Sequence, residues 1–390
     1  MKTIKLLLAV ALLQISLKSC KQPSEETSAS NWSLVLVDSL QVGHLGEMML
    51  LDISPNQELF LTADYQKNTY FIINRNGEKI SEINKSGDQP EAFGFAYSEM
   101  IFWDDETIFV IGSKGLKWYG LTGNETNFVP FNSEYQLKGI MRNTGGGPII
   151  LQDRGNTKIL YRGGAVNGKR TEPGYLEKIR GGTLIDPETF DLEHIFPLEK
   201  DSRFFDGKFY DDGDLYSRLA VGKDFVYVTY DSNPVLYAYE KTHPYKLSFK
   251  RELRLININQ SEGMPAEYVD YEVYLDASKG GLRNLQVDDR YVYLMYFEGI
   301  PKERLAEIEQ LYEIDELKAD AAYETEVSKR EKRMKVFTLK GEELSDIKLP
   351  NFLDSYWGFI ARDGFLYFNK AANNEIEEDF YTLYKLWLEQ

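Results

Sequence analysis

Three histidines, 62 acids and 45 bases supply the side chains with which this 390-residue chain could do chemistry. His44, His194 and His243 are the available imidazole bases. None stands in a Gly-x-Ser-x-Gly turn, so nucleophilic catalysis has no residue set here and each histidine reads as structural or surface. A different pattern runs through Glu47, Glu99, Lys138, Arg218, Arg283 with Asn284, and Trp357, which stand just ahead of short apolar segments. Asp, Glu and Asn at such repeated places would converge oxygens on a divalent cation such as Ca2+. Lys138, Arg218 and Arg283 oppose that. The mixture fits a polar or anionic ligand, because an arginine fork matches carboxylate or phosphate. The same arginines read equally well as ion-pair ties between neighbouring units. No cofactor is expected from this set, with an axial Ca2+ kept as the alternative.

Other candidates have plainer readings. Asp211-Asp212-Gly213-Asp214 lacks the alternating ligands and distant glutamate of an EF-hand loop and reads as a solvated turn. Asp104-Asp105-Glu106 and Glu377-Glu378-Asp379 read the same way, and so many acids make any one carboxylate pair uninformative about glycoside hydrolysis. Trp103, Trp118 and Trp357, or Tyr268, Tyr271 and Tyr274, could stack on sugar rings, although strand alternation sends most aromatics into a core. The acidic excess, a formal net charge of −17, disfavours a polyanionic partner, and no basic stripe for nucleic acid is present.

The elements that must position these residues are strands. Gly222 to Tyr239 reads as a β-hairpin, with Phe225 to Tyr230 and Val235 to Tyr239 joined by Asp231-Ser232-Asn233-Pro234. Related runs follow turn residues at Leu59-Phe60-Leu61, Thr107 to Val110, Tyr291 to Leu294 and Phe365 to Phe368, with a weaker copy at Gly147 to Leu151. Six copies predict an all-β, six-bladed β-propeller, each blade on the order of 40 to 50 residues without insertions. The short apolar segments Met49–Ile53, Met100–Trp103, Gly139–Met141, Leu219–Val221, Leu285–Val287 and Gly358–Ala361 are the expected innermost strands. Trp32–Val37 stands alone ahead of the first repeat and is placed to close the ring against Phe380–Trp387 of the last blade. Arg154–Gly182 and Tyr245–Lys279 read as long inserted loops. Pro301–Arg333 reads as one or two helices inserted in blade five, with Leu305, Ile308, Leu311, Tyr312 and Leu317 at helical spacing.

Residues 1–19 carry Lys2 and Lys5 and then an apolar run from Leu6 to Leu17, too short to span a membrane comfortably. They end at Cys20, the one cysteine, which excludes an intramolecular disulfide. This segment resembles a bacterial lipoprotein signal, with Lys18 departing from the usual small residue. That resemblance implies cleavage before Cys20, a lipid on its sulfur and a membrane as one partner. Cleavage would move the formal charge to about −20. Residues 20–31 are polar and read as a flexible tether. Lys21 after the cysteine fits an outer-membrane destination, facing the periplasm or the surface.

The hairpin repeats, the closing strand, the linker Lys85-Ser86-Gly87-Asp88-Gln89-Pro90-Glu91-Ala92-Phe93-Gly94 and the run Tyr291 to Tyr296 resemble the TolB-like six-bladed propeller lipoproteins of Bacteroidota. The family's Gly-Pro-Glu-Phe linker is interrupted here by Gln89 and Ala92. The resemblance covers residues 32–390 and implies a fold and a cell-envelope location rather than a reaction. The expected function is an envelope binding or protein-interaction module whose channel mouth (Glu47, Glu99, Arg218, Arg283, Asn284, Trp357) and inserted loops meet an envelope protein or a small polar or anionic ligand. A propeller hydrolase acting on a sugar or lactone is the first alternative. A structural scaffold of an outer-membrane complex is the second.

Overall fold

The computed structural model describes residues 32–131, 147–162, 172, 174–211, 213–265, 277–354, 356, 358–372 and 378–390. Its strands form six antiparallel four-stranded sheets. Blade one holds β2 (Met49–Ile53), β3 (Leu59–Asp64), β4 (Thr69–Asn74) and β5 (Lys79–Ile83), following the closing strand β1 (Ser33–Gly43). Blade two holds β6 (Ile101–Phe102), β7 (Thr107–Gly112), β8 (Gly115–Gly120) and β9 (Glu125–Pro130); blade three holds β10 (Ile149–Asp153), β11 (Asn156–Arg162), β12 (Arg180–Ile185) and β13 (Leu192–Pro197). Blade four is β14 (Ser217–Val221), β15 (Phe225–Tyr230), β16 (Asn233–Glu240) and β17 (Leu247–Glu252). Blade five is β18 (Gly281–Val287), β19 (Tyr291–Phe297), β20 (Lys332–Thr338) and β21 (Glu343–Lys348). Blade six sets β22 (Phe359–Arg362), β23 (Phe365–Asn369) and β24 (Phe380–Glu389) beside β1, whose Ser33 to Gly43 run antiparallel to Glu389 to Phe380.

Alternation of side chains along each second strand explains the ring. In β15, Val226, Val228 and Tyr230 pack toward blade three with Leu160 and Leu184, whereas Tyr227 packs toward blade five with Val292 and Leu294. In β19, Val292, Leu294 and Tyr296 face blade four, while Tyr293 and Met295 face Leu366 and Phe368 of blade six. A strand that is apolar on both faces must be covered on both. Six such strands find that cover in one another only by closing radially. Each inter-blade layer carries aromatic rings, such as Phe60 with Tyr367 across the junction of blades one and six and Trp118 with Phe109 beside blade three.

Blade three corrects the sequence reading. Gly147–Leu151 was expected as its second strand, but Ile149–Asp153 is its innermost one. Arg154–Gly182, expected as a loop, instead holds β11, the short helix α1 (Tyr175–Lys178) and the start of β12. Arg154 and Gly155 form a turn, both with positive φ, and residues 163–171 lie outside the described residues. The segment expected as the innermost strand, Gly139–Met141, and Lys138 ahead of it lie outside the described residues. Tyr245–Lys279 likewise contains a strand, β17, at the outer edge of blade four.

The insertion in blade five is two helices, α2 (Lys302–Tyr312) and α3 (Glu316–Lys329). Pro301 is the N-cap rather than the first helical residue. Ile308 and Ala319 are the buried contacts, and Asp315 caps α3 by accepting from the Lys318 backbone N–H. Tyr312 and Leu317, read as part of the apolar face, are exposed at the helical turn together with Ile314. No helix of the described residues is long and apolar enough to cross a membrane.

Candidate functional site

The six innermost strands surround an axial cavity of about 480 Å³, lined in five blades by the ends of those strands and the turns after them and in blade three by the start of β10. Each contributes an apolar wall residue: Leu51, Ile101, Ile149, Leu219, Leu285 and Ile360. The polar groups inside are few and tied to the ring. Asp52 accepts from the Phe102 backbone N–H at 2.8 Å and pairs with Arg362 at 3.3 Å, joining blade one to blades two and six. Gln286 of blade five accepts from the Ala361 backbone N–H of blade six at 3.4 Å. Burial in the cavity pushes the Asp52 carboxyl above the usual carboxylate range, against the pull of Arg362 and of two backbone N–H groups. Asp288, Asp289, Lys223 and Asp363 also line the cavity. A cavity of this size, with apolar wall residues and about as much polar surface, has the proportions of a small-molecule site.

The sequence-selected residues lie toward the opposite end, where the inner strands begin, and they do not form one constellation. Glu47 is exposed ahead of β2, and Glu99, half-buried ahead of β6, accepts from the Tyr65 hydroxyl. Arg218 is inside β14. Its Nε and Nη2 fork onto the two oxygens of Asp231 at 2.9 and 3.0 Å, and its Nη groups donate to the carbonyls of Arg283 and Leu282 at 2.7 Å. Its guanidinium therefore fastens blade four to blade five. Asp231 has its carboxyl pushed up by burial, against Arg218. Arg283 and Asn284 are inside β18, at a bulge between Leu282 and Asn284 that aims Arg283 out of the regular alternation. Asn284 is fully buried with neither side-chain atom hydrogen-bonded. Trp357, Cys20 and Tyr268, Tyr271 and Tyr274 lie outside the described residues. Trp118 is core, and Trp103 packs edge-on against it at 5.4 Å while lining the axial cavity.

The histidines occupy structural positions. His44 follows the closing strand, is buried, and contacts Asp64 through Nε2 and Lys79 Nζ through Nδ1, both at 2.9 Å. An ammonium only donates, so Nδ1 is the acceptor and the ring proton sits on Nε2, bonded to Asp64. Both nitrogens are thus engaged. Burial lowers the His44 pKa, and the charges of Lys79 and Lys67 add to that. Burial alone would raise Asp64, but hydrogen bonds from Lys67 and His44 hold it below the usual range. His194, on the outermost strand of blade three, bonds Thr183 at 3.0 Å, and His243 is exposed in a turn. Among the described residues no three His, Cys, Asp or Glu side chains are grouped as metal ligands. Asp212 is outside the described residues. Asp214, beside it, accepts from Ser232 and from the Asp211 backbone, as a turn acid does.

What sequence reading missed is the cavity itself. Asp52, Gln286 and Arg362 stand within or at the end of inner strands whose apolar character drew attention only to their starts. Their mixed polarity, one charged or amide residue inside an otherwise apolar inner strand, was the signal.

No family model matches the chain, and no curated protein matches it. Solved structures do. A DUF4221-family protein of Bacteroides vulgatus is 14% identical, matching 92% of this chain and 98% of its own with a TM-score of 0.55. A protein of Bacteroides fragilis proposed to be exported matches over 92% and 96% at 12% identity and a TM-score of 0.49. A Xanthomonas campestris gluconolactonase matches over 91% of each chain at 11% identity and a TM-score of 0.41. The first likeness is one of architecture over nearly the whole length of both chains, and by its own six sheets this chain is a six-bladed β-propeller.

Proposed function

We propose that this chain is a binding protein of the cell envelope, lipid-anchored through Cys20 and tethered by residues 21–31. Its ligand is a small amphiphilic molecule, polar and apolar in about equal measure, held in the axial cavity. The observation that carries this reading is the cavity itself. All six blades supply its apolar wall, and the Asp52–Arg362 pair and Gln286 offer both a donor and acceptors at one depth. Such a site gives affinity through buried apolar area and orientation through a few polar contacts.

The test is thermal-shift screening of small amphiphilic molecules against protein purified from Lys21 onward, with calorimetric titration of those that raise Tm. The expected result is saturable binding that Leu219→Trp abolishes while circular dichroism stays unchanged. Binding that survives Leu219→Trp undiminished would place the ligand elsewhere and overturn the reading.

A further inference from the structure

At the other end of the axis, Arg283 sits in an unusual setting. Its guanidinium lies 4.6 Å from the centroid of the Phe297 ring and 5.9 Å from that of Tyr356. Among the described residues the guanidinium has no hydrogen bond or ion pair, and its Nε is buried without a partner. The carboxylate whose field reaches it, Asp231, has both oxygens on Arg218. Other cations crowd the place instead. The Arg330 guanidinium faces the same Phe297 ring at 6.0 Å, and Arg162 and Arg218 lie 4.7 and 5.4 Å from the Tyr216 ring, whose hydroxyl is also buried without a hydrogen bond. Burial, then Arg218, with Arg330 adding, lowers the Arg283 pKa.

A half-buried guanidinium without a counter-charge costs free energy that a hydrogen-bonded anion recovers. In a chain of formal charge −17, Arg283 stands among three other arginines, one of them already paired with Asp231, and a guanidinium in that company attracts small anions. Planar N–H donors flanked by aromatic rings match an oxyanion forked onto the guanidinium. From this geometry we infer that Arg283 is the centre of a second binding site, taking a small oxyanion, carboxylate or phosphate, at the mouth where the inner strands begin. The site is separate from the axial cavity, so it stands or falls independently of the function proposed above.

The experiment measures Tm and calorimetric binding with inorganic phosphate, and separately with citrate, against sodium chloride at matched ionic strength. Wild-type protein is expected to be stabilised beyond chloride by at least one of the two, which identifies the oxyanion class. Arg283→Gln should weaken that binding by about tenfold or more. It should also raise Tm in anion-free buffer, because the uncompensated charge is gone. Arg254→Gln, at an exposed arginine outside both sites, should leave oxyanion binding unchanged. Should Arg283→Gln not fold, Arg283→Lys serves, keeping the charge but losing the fork, with weaker binding expected. No stabilisation beyond chloride, or equal stabilisation in the Arg283 variant, would overturn the inference.

Discussion

His44 shows how much a single side chain can decide once its hydrogen bonds are assigned. Lys79 on one ring nitrogen and Asp64 on the other fix a neutral imidazole between the closing strand and blade one. A histidine whose folded pKa is lowered supports the fold in full above its unfolded value, about 6.5, and that support is lost as pH falls below it, because the unfolded chain takes the proton first. Asp64, held low in the fold, loses its support in the same direction as pH falls further, below about 4. Urea unfolding is therefore expected to show stability falling between pH about 7 and about 5. His44→Gln, which can donate to Asp64 and accept from Lys79 without titrating, should reduce that slope, leaving the part that His194, whose pKa burial also lowers, supplies. An unchanged slope would mean His44 does not titrate across folding. Asp231 gives a second test. With it replaced by Ala, Arg218 keeps its carbonyl bonds but loses its counter-charge, and a destabilisation of about 3 kcal/mol is expected in the same assay.

At the scale of elements, the turn between β4 and β5 controls how the closing strand seats. Gly77 has φ +82°, and a Cβ there would meet the Gln41 carbonyl oxygen of β1 at 2.0 Å. Gly77→Ala therefore meets both a disfavoured backbone and a clash, and should cost about 1–3 kcal/mol, read as a lowered urea midpoint with unchanged slope. The Asn76-Gly77 pair was legible in sequence as a hairpin turn, as were the closing strand, five of the six second strands and the helical insertion, because each carries local chemistry. Blade three was misread because its innermost strand, Ile-Ile-Leu-Gln-Asp, has the same apolar start as the second strands elsewhere, so local pattern could not rank its place in the sheet. The site was less legible still. The bulge that re-aims Arg283 depends on its pairing with β19, and the depth of Asp52 depends on blades two and six. Neither is a property of the local sequence.

The whole molecule is a ring in which polar ties repeat at the blade junctions. Tyr161 donates to the Tyr97 carbonyl, Ser217 to that of Gly181, Tyr227 to that of Leu339 and Arg290 to that of Gly364, while Asn369 accepts from the Leu50 backbone N–H. The axis is accordingly a mount with two ends of different character, a cavity of mixed polarity at one and an arginine cluster at the other. A ligand in the cavity should stabilise all blades together, so native-state hydrogen exchange is expected to slow in inner strands of every blade rather than in one. Protection confined to a single blade would argue against a shared axial site.

The pairing of β1 with β24 also sets an order in time. The first strand of the ring to emerge from the ribosome has the last strand as its partner, so it must wait, unpaired, through synthesis of everything between. Until Phe380–Glu389 arrives, blade six has no place for β1 and the ring stays open, with an exposed edge able to recruit another chain. A chain ending before Phe380 should then be protease-sensitive and prone to associate, even though blades one to five keep every one of their own strands.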